Sequence, residues 1–408
     1  VSLGLVAVAA SRFHSERQFS LGAEAFRLHR FDLADQHFER ALRWSLRGSE
    51  IARMRSRAAW INDDRQASER HLAEAVSRGL DAASLQQERR LMKIREGADA
   101  DQHAHLASML QRSPEDGPAI LEAFTAGSLA RGDSVAASRF LTVWEQADPD
   151  DPRIHYWRGT LHQSFREQIG AVEHFEAALR IAPRMTPARL ALAEVLAAHF
   201  RYVEATGHYR QVVQEQPASE HAAVGLAICL VESGAVQEGV RRLEAAVKAY
   251  PENVSARLAL AEHYQQAGQW QTALQSLEPM IETHRDDITL NYLLANAYQH
   301  LGDSQRSTRY FDQFQRLKQE FETTRLLVKE YEIRPTAELT RRIAAGYMGC
   351  KWQEAGTWIM KALSNEPSSA ALHRMMAEYL QRSGRAALAD SYLSHAERLS
   401  QQPDPRSP

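Results

Sequence analysis

Small and large apolar residues recur along this chain at an interval far longer than any helix or strand period. One apolar column reads Ala41, Ala75, Met109, Trp144, Ala178, Val212, Ala246, Met280, Phe314, Ala362 and Ala396, spaced by 34 residues except for one step of 35 and one of 48. Three residues earlier stands a column of large apolar residues: Phe38, Leu72, Leu106, Leu141, Phe175, Tyr209, Leu243, Leu277, Phe311, Ile359 and Leu393. Four residues before those, most positions are small: Ala34, Ser68, Gln102, Ala137, Ala171, Ala205, Gly239, Ala273, Ser307, Ala355 and Ala389. Small, then large at +4, then apolar at +7 traces one face of an α-helix.

The first half of each unit carries a second such face, clearest as Leu192-Ala193 with Leu196, Leu226-Ala227 with Leu230, Leu260-Ala261 with Tyr264 and Leu294-Ala295 with Tyr298. Gly132, Gly234, Gly268, Gly302 and Gly384 fall between the halves, where the turn after a helix favours left-handed backbone. Pro149, Pro183, Pro217 and Pro251 separate successive units, so each unit reads as helix, tight turn, helix.

A 34-residue helical hairpin with these columns resembles the tetratricopeptide repeat. The residues that carry the resemblance best are Gly159, Ala171, Phe175, Ala178 and Pro183, followed by Leu21-Gly22, Phe31, Ala34, Phe38 and Ala41. Eleven units cover residues 15 to 401, and the second and third are degenerate, with Ser56 and Arg90 where the small residue belongs. The resemblance implies an all-α fold, an α-solenoid in which stacked antiparallel helix hairpins wind into a right-handed superhelix with a concave groove. Physically, small residues let neighbouring helices approach closely while the large residue fills the adjacent groove, and stacking buries what one hairpin cannot.

The family also implies where a partner lies: on the inner face, formed by the first helix of each unit. Its columns are Thr160, Glu194, Ile228, Glu262, Asn296 and Glu378, then Gln163, Gln265, Gln299 and Gln381. Amides and carboxylates of this kind suit hydrogen bonding to an extended peptide. Only Asn296 supplies an asparagine, so the Lys and Asn set with which some members clamp a C-terminal carboxylate is missing. In the same register Arg53 and Arg57 face the groove as an anion patch.

The 48-residue interval adds 14 residues between the ninth and tenth units. Residues 304–332 lack proline and glycine and place Phe314, Leu317, Phe321, Val328 and Tyr331 at heptad-like spacing, with Thr324 the one polar member. This predicts an overlong helix ending before Pro335, packed on residues 336–400 of the same chain or forming a homodimer seam. The organisation read from the chain is therefore a leader over 1–14, repeats over 15–319, a helical extension over 320–335, repeats over 336–401 and a disordered tail over 402–408.

The opening residues VSLGLVAVAA are apolar apart from one serine, yet ten are too few to span a bilayer. Ala7-Val8-Ala9 fits a signal-cleavage pattern, so the expectation is the end of an export signal or membrane anchor and a place in the cell envelope. The alternatives are a leader helix covering the first repeat and a cytoplasmic protein.

Charge and chemistry then exclude more than they add. Forty-nine basic against 52 acidic side chains among 408 residues give a net charge of −3, no polycation seeking nucleic acid. Residues 40–95 are locally basic at +6, twelve arginines and one lysine against seven acids, with Trp44 and Trp60 interleaved. The two cysteines, Cys229 and Cys350, exclude a disulfide scaffold, and Cys229 sits among apolar neighbours as an inert thiol. No phosphate loop, nucleophile elbow or HExxH motif is present. Among seventeen histidines, His103 and His105 point to different helix faces. Asp148-Pro149-Asp150-Asp151-Pro152 reads as a capped turn between repeats. The expectation is a scaffold that is not an enzyme, with no catalytic residue, cofactor or metal, and with a protein or peptide partner. The other reading is a polyanion- or polysaccharide-handling module for export.

Overall fold

The two apolar columns of each unit become the buried seam of a helical hairpin. The computed structural model describes residues 2–43, 45, 47–61, 64–97, 102–130, 133–165, 167–383 and 386–401, with side chains left aside at 2–10, 102–105 and 386–388. Among the described residues there is no strand, and 22 α-helices alternate along the chain. The first six are α1 (Ser2–Arg27), α2 (Phe31–Leu42), α3 (Gly48–Ile61), α4 (Arg65–Ser77), α5 (Ala82–Arg95) and α6 (Gln102–Arg112). They are followed by α7 (Gly117–Ala130), α8 (Ser134–Ala147), α9 (Pro152–Ser164), α10 (Gln168–Ile181), α11 (Thr186–Ala198), α12 (Tyr202–Glu215), α13 (Glu220–Glu232) and α14 (Val236–Ala249). The last are α15 (Val254–Gln266), α16 (Trp270–Leu277), α17 (Ile288–His300), α18 (Ser304–Ile333), α19 (Ala337–Cys350), α20 (Ala355–Asn365), α21 (Ala370–Arg382) and α22 (Ala386–Gln401). Consecutive helices pair along most of the chain, among them α1 with α2, α3 with α4, α9 with α10, α17 with α18 and α21 with α22, in an all-α solenoid.

Close packing at each seam explains the residue types. Ala34, Ala137, Ala171, Ala205, Ala273 and Ala355 are fully buried, as are Phe38, Phe175, Leu243, Leu277 and Ile359 four residues on. Opposite them the first helix must present almost nothing: a Cβ added to Gly159 would lie 2.6 Å from the Phe175 ring, and one on Gly22 equally close to Phe38. Hairpin 2 solves the same crossing with two small hydroxyls, Ser56 and Ser68, whose Oγ atoms meet at 2.9 Å. In α5 the register slips by one: Arg90 is exposed and Leu91 takes the buried place, and α5 packs on α7.

The turns follow the same economy. Gly234 and Gly302 adopt left-handed φ of +93° and +82°, whereas His29 and Phe200 adopt +54° and +62° without glycine's freedom. Gly132, Gly384, Trp44 and the tail at 402–408 lie outside the described residues, as do the side chains of His103 and His105.

The chain divides into two compact units, residues 1–222 and 223–408, so the excess after the ninth hairpin is not where the chain divides. Unit 1 is cored by clusters around Phe31, Phe38 and Ile51, around Ile94, Ile120 and Phe124, and around Leu141, Trp144 and Ile154. Unit 2 is cored around Leu243 and Leu260, around Leu277 and Leu294, and around Ile343, Ile359 and Met376.

Within unit 2, α18 runs unbroken for 30 residues. Phe321, Leu327, Val328 and Tyr331 pack on the C-terminal core of the same chain, which takes up the second half of the heptad-like seam. Thr324, the polar member, is buried where α18 crosses α19 at Gly346, its Oγ1 bonded to the Glu320 carbonyl at 2.8 Å. Phe311 departs from its column and is 46% exposed. The reason is the extension: α19 docks along the far half of α18, leaving the stretch around Phe311 without the helix that covers this position in other hairpins.

Candidate binding surfaces

The first helices of unit 1 face one another across charge. Arg57 on α3 is held by two acids: its Nε donates to Glu88 Oε2 at 2.8 Å, its Nη2 bonds the other Glu88 oxygen, and its Nη1 donates to Asp116 Oδ1 at 2.8 Å. Arg53 Nη1 donates to Asp116 Oδ2 at 2.8 Å and lies 3.5 Å from Glu88. One hairpin further, Arg153 donates to Glu122 at 3.1 Å and forks onto Asp151 through Nε at 2.9 Å and Nη2 at 2.5 Å. Glu122 also meets His29 Nε2 at 3.3 Å and Arg95 at 3.4 Å. Arg153 lies over the Trp144 ring at 4.9 Å and Arg95 over Trp157 at 5.6 Å.

Four guanidiniums, Arg53, Arg57, Arg95 and Arg153, thus meet four carboxylates, Glu88, Asp116, Glu122 and Asp151. The acids are at most 5% exposed. Burial alone would raise the Glu122 carboxyl, but His29, then Arg153 and Arg95, outweigh it and hold the group well below the usual carboxylate range. Asp116 is lowered the same way, burial being overcome by Arg57 and Arg53. Arg57 is raised, since Glu88 and Asp116 more than offset its desolvation.

This arrangement answers the anion-patch expectation for Arg53 and Arg57. The forks that would grip a ligand are engaged by Glu88 and Asp116 and withdrawn from solvent, with Arg57 8% exposed. The turn of the first hairpin reaches the same region: Leu28 packs with Met185 and Ala188, and the His29 ring lies 5.8 Å from Tyr156. One acid of the network, Asp151, was readable in sequence only as a turn and cap residue. Asp151 does cap α9, accepting from Arg153 N–H at 3.0 Å, but nothing local announced its second bond to the arginine side chain.

The inner columns divide between the units. In unit 1, Thr160 bonds its own helix through the Tyr156 carbonyl at 3.1 Å, Glu194 pairs with His221 at 3.0 Å, and Gln163 is exposed. In unit 2, Glu262 and Gln299 are exposed and Asn296 is half-buried, their side chains making no hydrogen bond or ion pair. Gln381 is exposed, and Glu378 pairs with Arg382 at 3.0 Å. Gln265 corrects the pattern: it is buried, and its Nε2 donates to the Leu293 carbonyl at 2.7 Å, tying α15 to α17 instead of facing a ligand.

Sequence reasoning missed a notch beside α18. A cavity of ≈ 840 Å³ opens between the exposed half of that helix, the loop 282–287 with the start of α17, and the turn after α19. Phe314, Phe321 and Trp352 line it, and Lys318 and Lys351 lie over the Phe314 and Phe321 rings at 5.7 and 5.5 Å. Its signal in the sequence was the 48-residue interval, read as a helix length and not as the gap a displaced hairpin leaves behind.

Elsewhere the chemistry is quiet. Among the described residues no group of three or more His, Cys, Asp or Glu is placed to hold a metal ion. Cys229 and Cys350 are free and buried, and burial pushes both thiols up to about 11. Among the described residues no helix is long and apolar enough to cross a membrane, α1 included.

Comparison with known proteins agrees with the geometry. A tetratricopeptide-repeat family model matches residues 230–297, and the model of the protein kinase G tetratricopeptide repeat matches 100–261. No curated protein sequence matches the chain. Among solved structures, a tetratricopeptide-repeat protein from Parabacteroides merdae is 15% identical, with 62% of this chain and 94% of that one covered and a TM-score of 0.35. YrrB, described as a TPR protein with an unusual peptide-binding site, is 18% identical, covering 46% and 96%, with a TM-score of 0.39. The Cut9–Hcn1 complex is 15% identical, covering 95% and 74%, with a TM-score of 0.36. These are likenesses of fold. With the 34-residue columns buried as hairpin seams and two tetratricopeptide-repeat family models on residues 100–297, the middle of the chain is built of tetratricopeptide repeats.

Proposed function

We propose that the protein is a non-catalytic interaction scaffold whose second unit holds an extended segment of a partner protein against Glu262, Asn296 and Gln299. The observation that carries this reading is the contrast between the units. The inward-facing charges of unit 1, Arg53, Arg57, Glu122 and Arg153, are bonded within the unit, whereas these three have no partner in the chain and keep their full hydrogen-bonding capacity. Side chains one helical repeat apart on successive first helices offer an extended backbone a row of acceptors and donors, with recognition set by their order. The aromatic notch at Phe314, Phe321 and Trp352 in the same unit supplies a separate apolar anchor, the kind of pocket in which binding energy concentrates. An envelope location rests on the apolar opening residues alone and is tested by fractionating native cells.

The test is capture of partners by the full chain from native cells, compared with a chain carrying Glu262→Ala, Asn296→Ala and Gln299→Ala together. Loss of a reproducible protein partner in the triple variant, with folding unchanged, supports the reading. Retention of every partner removes it. Recovery chiefly of anionic polymer, with steep salt dependence, would support the polyanion reading instead.

A further inference from the structure

Three imidazoles stack on one side of the fifth hairpin, away from the ion pairs described above. His155 and His162 stand on α9, and His174 of α10 lies between them. The ring centroids of His162 and His174 are 5.1 Å apart with planes at 23°, and those of His155 and His174 are 5.5 Å apart at 30°. The Nδ1 atoms of His155 and His174 approach to 3.2 Å. The stack has been given room: a Cβ on Gly170 would fall 2.6 Å from His162 Nδ1. Glu167 then anchors the His162 ring through a contact of 2.7 Å to Nδ1, so that this ring fixes the plane of His174.

Packing alone does not call for this arrangement, since all three rings are only half-buried. Two facing Nδ1 atoms can share one proton, leaving one lone pair directed at the other ring. We propose that the His155 and His174 Nδ1 atoms form a binding site for a borderline divalent transition-metal ion of the zinc class, which takes the place of that proton and clamps α9 to α10.

The geometry supports the proposal directly. Imidazole nitrogens bind zinc at about 2.0–2.1 Å, so a separation of 3.2 Å corresponds to an N–metal–N angle of about 100°, between the octahedral and tetrahedral values. Imidazole donors select zinc, nickel or copper ions over magnesium or calcium. Both rings are disposed to be neutral: burial and then Arg158 lower His155, while burial, His155 and His162 bring His174 down to about 4. The charged groups acting on the pair are Arg158 and Arg180, which repel a cation, and Glu145 of α8, which attracts it. Glu145 is bonded to Arg158 at 2.5 Å, which partly offsets that arginine's repulsion, and water completes the coordination. Two protein donors make this an exchangeable site and not a closed structural centre.

The experiment titrates Zn²⁺, Ni²⁺ and, as a control, Mg²⁺ into the full chain, reading stoichiometry by calorimetry and melting temperature by circular dichroism. The expected result is one Zn²⁺ per chain, a rise in Tm, no response to Mg²⁺, and affinity that falls on acidification as protons compete. His155→Gln and His174→Gln each abolish the Tm rise, and His284→Gln leaves it intact. Gly170→Ala, which displaces His162 without removing a donor, weakens binding about tenfold. Equal affinity in the wild type and the His155→Gln/His174→Gln double variant would place the ion on other histidines and overturn the proposal. So would the absence of Zn²⁺ binding by a wild-type chain of native helicity.

Discussion

Units 1 and 2 share one hairpin and one seam, yet treat their first helices in opposite ways. In unit 1 these helices are joined by buried guanidiniums and carboxylates, from Arg57 through Glu88 and Asp116 to Glu122 and Arg153. In unit 2 the corresponding helices present Glu262, Asn296 and Gln299 without partners, and the buried amides of Gln265 and Asn291 bond backbone carbonyls. A repeat protein has two separable surfaces, the seam that makes the fold and the inward columns that remain free to vary. Unit 1 uses its columns for internal bonding; unit 2 leaves them for something else.

The comparison breaks most sharply at Glu122. Glu122→Ala leaves Arg153, Arg95 and His29 without their shared carboxylate in a buried site, and should cost about 3–5 kcal/mol. Denaturant unfolding followed through Trp144 and Trp157 should then show unit 1 melting early. An effect no larger than that of Glu262→Ala would show that the ion pairs are not what joins those helices.

A second, smaller effect belongs to the crossing of α18 and α19. A Cβ at Gly346 would sit 2.1 Å from Thr324 Oγ1, so Gly346→Ala should destabilise unit 2 by about 1–3 kcal/mol through overpacking. Adding Thr324→Ala should recover most of that loss. Ala171→Leu, at a fully buried seam position in unit 1, should cost about the same. A neutral result would contradict the seam.

Acid should separate the units. His37, His71, His155, His174 and His208, all in unit 1, are lowered from the ordinary imidazole value, each chiefly by burial. A lowered pKa contributes stability that is whole above the unfolded value, about 6.5, and is lost as pH falls through the folded one, about 4 for His174. Glu122 and Asp116 extend the loss below about pH 4. His221, raised by Glu194, works in the opposite sense, contributing below about pH 6.5 and less as pH rises through its folded value. Unit 1 should therefore melt before unit 2 as pH falls from 7 to 4, as the fluorescence of Trp144 and Trp157 would report. The reverse order would contradict the assignment.

The smallest expected effect is the most informative for function. Changing Glu262, Asn296 and Gln299 together to alanine should alter stability by no more than about 0.5 kcal/mol per site, because none has a partner to lose. Partner capture should nevertheless fall.

How much was legible depended on whether the signal was periodic. The seam repeats every 34 residues, so Ala171 and Phe175 could be placed from their columns, and so could the helix over 304–332 from its run without proline or glycine. Gln265 could not be placed, because it occupies the same column as Gln299 and differs only in meeting Leu293. Nor could Phe311 be told from Phe175, since its exposure comes from the hairpin that follows. Arg53 and Arg57 were visible as inward-facing charges, but Glu88 and Asp116 stand 31 and 59 residues from Arg57, on other hairpins and in no column.

The sequence by itself determined that the chain is a stack of helical hairpins, because side-chain volume at fixed helical spacing is a local property that recurs in every repeat. Only the tertiary structure decided which inward-facing charges are already neutralised, which polar groups remain free and where a notch opens. Those outcomes depend on distances between residues far apart in the chain, and the strength of an ion pair or hydrogen bond depends on burial that no single repeat can provide.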